Sequence, residues 1–211
     1  MAGLRLPIIG AALLLAVAGA GLTSEAPAAA PPPGAYFPLA PGWIWTFRTH
    51  GGPDVTMRVS GRHTVDGQVC GVIETVINGF VTQAECYRVT ADGVYAYQRS
   101  YPAGTVVLTP PQPVMTAPVR AGRTWRWNGR LGDQEVTMDF TWAQEEPVTT
   151  PAGTFKAMQL YFATAPGSEM QLQTWRWFAA GVGMVKEDTV IGQGGTTRRV
   201  YAELNKVVKG K

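Results

Sequence analysis

Residues 136–162 read VTMDFTWAQEEPVTTPAGTFKAMQLYF. Val136, Met138, Phe140 and Trp142 alternate with Thr137, Asp139 and Thr141; beyond a turn at Ala152-Gly153, Met158, Leu160 and Phe162 repeat the rule. Successive side chains of a strand point to opposite faces, so period two in both arms predicts an antiparallel hairpin with one buried face. The pattern extends outward in both directions. Trp43, Trp45 and Phe47 alternate with Ile44 and Thr46, and turn pairs recur at Asp66-Gly67, Asn78-Gly79, Asp92-Gly93, Asn128-Gly129, Gly132-Asp133 and Gly192–Gly195. Such pairs supply the positive φ that tight hairpins need. The chain beyond residue 35 therefore reads as all-β, a meander of antiparallel hairpins.

Composition narrows the chemistry. Of 211 residues, 16% are charged, 45% are hydrophobic and seven are Trp; the net charge is +3. Two His and two Cys would all be consumed by a single four-ligand zinc site, so neither a metal nor any other cofactor is expected. With so small a net charge and an exported all-β reading, nucleic acid is not an expected partner.

The start of the chain reads as an address. Residues 1–24, MAGLRLPIIGAALLLAVAGAGLTS, hold one charge, Arg5, before an apolar run from Leu6 to Leu22. Ala18 and Ala20 form an A-x-A pattern, which predicts a signal peptide over residues 1–20 cleaved before Gly21; a retained anchor of similar length is the alternative. Residues 21–35, rich in Ala and Pro, cannot build a core and are expected as a flexible tether. The expected compartment is periplasmic or extracellular, with peripheral membrane contact as a further expectation.

The body, residues 36–211, resembles itself. PLAPGWIWTF (Pro38–Phe47) aligns with PVRAGRTWRW (Pro118–Trp127), DGQVCGVIE (Asp66–Glu74) with AGTFKAMQL (Ala152–Leu160), and YRVTADGVYAY (Tyr87–Tyr97) with WRWFAAGVGMV (Trp175–Val185). Order is kept, which predicts two meander repeats, 36–108 and 119–207, joined by a proline-rich linker at 109–118. Two units of about five strands imply one strongly curved antiparallel sheet, a half-barrel or open barrel; a β-sandwich is the architectural alternative.

Three of these stretches resemble an exported bacterial family, sometimes labelled TapB-like, of uncharacterised function. They are YFPLAPGWIWTF (Tyr36–Phe47) with its Gly-x-x-Trp opening, TPAGTFKAMQL (Thr150–Leu160), and WFAAGVGMVKED (Trp177–Asp188) with a Trp-x-Ala-x-Gly-Val-Gly turn. The resemblance implies a curved sheet similar to the half-barrels of periplasmic lipoprotein carriers. It implies no enzyme and supplies no catalytic residues.

Cys70 and Cys86 flank Asn78-Gly79. A three-residue loop of Ile77, Asn78 and Gly79 would set them directly opposite one another, at a separation that permits a disulfide. In an exported protein, that bridge is the expected state.

Complete catalytic motifs are absent from the sequence: no G-x-S-x-G elbow, P-loop or H-E-x-x-H occurs, and His50 and His63 lie in polar segments. Arg120, Arg123, Arg126 and Arg130 form a basic stretch and Lys206, Lys209 and Lys211 a basic tail; both read as solvated charge, with contact to anionic head groups as the alternative. The positive feature is aromatic. Trp43, Trp45, Phe47, Trp125, Trp127, Trp175 and Trp177 occupy alternating positions, read either as core or as the lining of a concave groove for an apolar ligand. The expected function is therefore an exported, non-catalytic binding or scaffold protein of the cell envelope with an apolar or lipid-like ligand. The alternatives are a protein–protein interaction module of an envelope or secretion complex and, with less behind it, an envelope hydrolase.

Overall fold

The computed structural model describes residues 30–166 and 170–210. The expected signal peptide, most of the Ala/Pro tether and Lys211 lie outside the described residues. A four-residue helix, α1 (Pro33–Tyr36), precedes twelve strands. They are β1 (Ile44–Thr49), β2 (Val55–Val65), β3 (Gln68–Ile77), β4 (Phe80–Val89), β5 (Gly93–Tyr101), β6 (Gly104–Thr116), β7 (Thr124–Leu131), β8 (Gln134–Thr150), β9 (Gly153–Thr164), β10 (Met170–Ala179), β11 (Gly183–Gln193) and β12 (Thr196–Val208).

Each strand pairs antiparallel with its neighbours in sequence, and β1 pairs with β12, so the sheet closes. This corrects the expected half-barrel and rules out the sandwich. Closure removes both edges, and with an even strand number the first and last strands meet antiparallel. Bulges bend the strands toward closure, for instance at Thr46/Phe47, Val59/Gly61 and Trp142/Glu145.

Most of the expected turns lie where the sequence put them, but Asn128-Gly129 falls inside β7, paired with Thr137 and Val136. Asp66 (φ 48) and Gly67 (φ 74), then Asn78 (φ 51) and Gly79 (φ 83), both carry the paired positive φ of two-residue hairpins. At Asn78-Gly79 this differs from the expected three-residue loop. Ile77 pairs with Phe80, and a bulge between Thr75 and Val76 then shifts the ladder, leaving Cys86 opposite Val72 rather than Cys70. Thr82 Oγ1 donates to the Thr75 carbonyl at the bulge (3.2 Å). Both cysteines are free thiols, buried with Val65 in a small cluster on the outer face of β2–β4.

Thr109–Pro118, expected as a linker, mostly belongs to β6. There β6 stays paired with β5 as far as Thr116 but shares only two registered pairs with β7, at Leu108 and Thr109. Indole groups bridge the gap. Trp125 Nε1 donates to the Pro113 carbonyl (2.7 Å), Trp127 Nε1 to Pro110 (3.0 Å) and Trp142 Nε1 to Thr116 (3.2 Å). The starts of β1 and β7 share local geometry: Gly42 (φ 89) and Gly122 (φ 79) each precede a strand. The carbonyls of Trp43 and Arg123 accept from Val59 and Trp142.

The core fills one end of the barrel. Trp127, Phe140, Trp142, Met115 and Phe178 are buried there. The chain leading into β1 lies across that end, with Phe37 edge-on to Tyr87 (4.8 Å) and the Gly181 N–H donating to the Ala35 carbonyl (2.7 Å). The β8–β9 hairpin curls over the same end. Ala152 N–H reaches the Leu204 carbonyl of β12 (3.0 Å), past β10 and β11. Outward positions carry ion pairs such as Arg126–Asp139 (2.6 Å), Arg199–Asp188 (2.6 Å) and Arg58–Glu74 (2.7 Å). That sidedness is the reverse of a lipid-facing barrel, whose outside is apolar.

Candidate functional site

Eight strands give a barrel just wide enough for side chains to fill, and sixteen leave a channel; twelve fall between. Here the difference remains as a cavity of about 910 Å³, capped at the packed end and opening among the turns of the other. Its mouth is set by Thr49, Val55, Tyr101, Leu131, Asp133 and Glu135; its floor includes Tyr36, Phe37, Trp45 and Phe178. Between them, Phe47, Met57, Ile73, Met184 and Ala202 supply most of an apolar wall.

A polar belt interrupts that wall at mid-height. On β4–β6, Arg99 Nε donates to Glu85 Oε1 (2.8 Å) and Arg99 Nη2 to Gln112 Oε1 (2.7 Å). On β10–β11, Arg176 Nε donates to Glu187 Oε2 (2.6 Å), and Thr174 and Thr189 share a buried hydrogen bond (3.0 Å). Each ion pair links residues directly opposite on adjacent strands, so the register fixes them without help from loops. The two walls sense one another. Burial opposes the Arg176 charge, but Glu187, Tyr87 and Glu85 outweigh it, and its pKa lies above the ordinary value. Burial foremost, then Glu85, pushes the Tyr87 phenol far up. Both therefore hold their protons at neutral pH, and the belt presents fixed charge and fixed donors. Arg176 also lies 5.3 Å from the centroid of the Phe162 ring, a cation–π arrangement.

The expected aromatic lining divides. Trp45 and Phe47 line the cavity, with Trp45 held by its Nε1 donating to the Val182 carbonyl (2.7 Å). Trp43 stacks behind Trp45 (5.5 Å), and Trp125 and Trp127 are spent on the β6–β7 seam. Trp175 and Trp177 face outward, on the side opposite Arg176: Trp175 packs on Tyr161 (5.1 Å), and Trp177 Nε1 donates to Glu146 (2.6 Å). The sequence reading missed Glu85, Arg99, Gln112, Arg176 and Glu187. The signal for them was a charge at an inward position of an alternating strand, readable only once the inward face is known.

Neither histidine lines the lumen. His50 sits on the outer rim, edge-on to Tyr201 (4.7 Å) and 3.6 Å from Glu203. His63 is exposed, opposite Cys70 on the outside. The arginines expected as a basic stretch are dispersed: Arg123 holds Thr116, Arg126 holds Asp139, and Arg130 holds the Gly132–Asp133 turn. Among the described residues, no group of His, Cys, Asp and Glu has the geometry of a metal site.

Comparison with known proteins places this geometry among similar folds. The family described as DUF3108-like matches residues 134–195, from β8 to the β11–β12 turn. No curated protein matches the chain. Two crystal structures share the fold. One is a candidate lipoprotein of Parabacteroides distasonis, with TM-score 0.50 and 15% identity over 82% of this chain and 98% of that one. The other is a candidate exported protein of Bacteroides fragilis with a YmcC-like fold, at TM-score 0.50 and 15% identity over 82% of this chain and 99% of that one. None of these three matches carries the TapB-like label; what the two crystal structures share with this chain is the fold.

Proposed function

We propose that this chain is an exported, non-catalytic binding protein of the bacterial cell envelope that holds an apolar or lipid-like ligand inside its barrel. The observation that carries the reading is the cavity of about 910 Å³, closed at one end and walled by Phe47, Met57, Ile73 and Met184. Small-molecule sites are clefts of roughly 300–1,000 Å³, mostly apolar, with a few placed polar groups. Export is supported by the address in residues 1–20 and accords with the descriptions given to the two structural neighbours. The test is uptake of an uncharged fluorophore, N-phenyl-1-naphthylamine, by delipidated protein. Saturable uptake with a blue-shifted emission is expected. Absence of uptake overturns the reading.

A second reading, an interaction module, has its own observation. Phe80 is 75% exposed, and Val81, Tyr101 and Val107 are also exposed, on strand ends beside the mouth. Because β1 pairs with β12, this exposed apolar rim, rather than a free first or last strand, is the docking surface such a module would use. Phe80→Ser with Val81→Ser, two exposed residues that do not line the cavity, separates the two readings. Loss of cross-linked envelope partners with fluorophore uptake unchanged supports the module. The hydrolase reading finds no histidine in the lumen: His50 lies in an open pocket on the outer rim beside Tyr201 and Glu203, and His63 is exposed.

A further inference from the structure

The polar groups of the lumen differ in how much hydrogen-bonding capacity they have left. Provided that the lumen binds an amphiphile, the reading on which the inference rests, that difference decides which head group fits. Glu187 accepts from Arg176 Nε (2.6 Å) and Thr189 Oγ1 (3.1 Å). Glu85 accepts from Arg99 Nε (2.8 Å) and is hydrogen-bonded to Tyr87. Gln112 spends its oxygen on Arg99 Nη2 (2.7 Å) and its amide nitrogen on Met138 Sδ (3.1 Å). Each acceptor of the belt thus already holds at least one protein donor.

Arg176 is different. A guanidinium carries five N–H donors, and among the described residues its one hydrogen bond runs through Nε. Its side chain keeps 35% of its surface accessible, and that surface lines the cavity. Arg176 therefore holds the largest unused capacity of any one group in the belt, and it is donor capacity, which calls for oxygen acceptors on the ligand.

Charge then selects among acceptors. Glu85, Asp133, Glu135 and Glu187 line the cavity against Arg99 and Arg176, four carboxylates to two guanidiniums. An anionic head group would pass the mouth carboxylates and compete with Glu187 for Arg176. A cationic one would find Glu85 and Glu187 committed to arginines. An uncharged ester or hydroxyl head meets neither obstacle. We infer that the lumen selects an uncharged, acceptor-bearing amphiphile of the acylglycerol type. Arg176 donates to its carbonyl or hydroxyl oxygens, and its chain lies against Met57, Ile73, Met184 and Ala202.

The test displaces N-phenyl-1-naphthylamine from the signal-free chain with three ligands of equal chain length: monolaurin, laurate and dodecane. Monolaurin is expected to displace at about tenfold lower concentration than either, the worth of a hydrogen bond to a charged donor. Two variants locate the effect. Arg176→Met with Glu187→Met removes the pair without stranding a charge, and Arg176→Lys keeps the charge but loses the planar fork. Both are expected to take up the fluorophore and to lose most of the preference for monolaurin. Laurate displacing as well as monolaurin, or a preference unchanged in both variants, overturns the inference and leaves the binding reading standing. Fluorophore uptake that none of the three ligands reverses overturns both.

Discussion

Trp127 Nε1 donates to the Pro110 carbonyl across 3.0 Å, at the junction of β6 and β7, where the backbone ladder has run out. Proline has no N–H to give a neighbouring strand, but its carbonyl still needs a partner. Trp125 serves Pro113 in the same way (2.7 Å). The indoles thus donate to proline carbonyls at positions where β6 and β7 have no registered backbone pairs, and the barrel closes through side chains at this seam.

Trp127→Phe keeps an aromatic ring but removes the donor and the pyrrole half of the indole, leaving the carbonyl of the exposed Pro110 without its side-chain partner. The expected cost is about 1–2 kcal/mol. For a domain of this size, that lowers Tm by about 2–4 °C per kcal/mol. Combining it with Trp125→Phe should open the seam, read as faster hydrogen exchange on β6 and β7 with β9–β11 unchanged. Uniform loss of protection around the barrel would contradict the seam's local role.

This seam also shows how far the sequence could be read. The alternation of Val136–Phe162 and the Asp-Gly and Asn-Gly turns announced an antiparallel all-β chain, and β8, β9 and both hairpin turns lie where they pointed. Closure was not legible, because it depends on β1 meeting β12, a pairing across the whole chain with no local signature. Sidedness was half legible. The tetrapeptide Thr-Trp-Arg-Trp occurs at 124–127 and again at 174–177. In β7 its tryptophans point inward and Arg126 pairs with Asp139 outside; in β10 the tryptophans point outward and Arg176 enters the lumen. Identical residues take opposite faces because the partner strands differ. Phe140 and Met138 stand opposite the first pair of tryptophans, Asp188 and Lys186 opposite the second. The polar belt was hidden by that ambiguity.

The cysteines give a chemical test of the register. Burial pushes the Cys86 thiol up to about 11, with Cys70 and Glu85 adding to it, and burial likewise raises Cys70. Both are protonated and shielded at neutral pH, so native protein should resist iodoacetamide. Unfolded protein, without reductant, should take two labels. A single species that takes none would show a bridge and a different register at Thr75/Val76. The raised pKa has a further consequence. The folded state holds the Cys86 proton more tightly than the unfolded chain, so its contribution is complete below the ordinary thiol value of 9.0 and is lost as pH rises toward about 11. Cys86→Ala should flatten stability across that window.

Gly183 joins the cap to the cavity floor. Its φ is +98, and a Cβ there would lie 3.2 Å from Trp45 Nε1, the atom that donates to the Val182 carbonyl. Gly183→Ala therefore meets both a left-handed backbone and a tight indole. A loss of about 1–3 kcal/mol is expected. Because Trp45 lines the cavity, fluorophore affinity should fall as well. Unchanged affinity in a destabilised variant would show that the floor is held independently of Trp45.

The two classes of ion pair should respond differently to removal of one partner. Asp188, outside, is held below the ordinary carboxylate range by its hydrogen bond to Arg199, a side chain 65% exposed. Such pairs contribute roughly 0–1 kcal/mol after solvent screening, so Asp188→Asn should cost less than about 1 kcal/mol. Because the folded pKa is depressed, that contribution is present above the ordinary value of 3.8 and is lost as pH falls through the folded one. Glu85 stands inside, 12% exposed, and Glu85→Gln would leave Arg99 facing the lumen without its carboxylate. Breaking a buried pair from one side costs about 3–5 kcal/mol, because the remaining charge is uncompensated. Chemical denaturation should therefore separate the variants by at least about 2 kcal/mol. Added salt should weaken the effect of Asp188→Asn and leave that of Glu85→Gln nearly unchanged. Equal costs would mean that water fills the lumen well enough to screen the belt as it screens the surface.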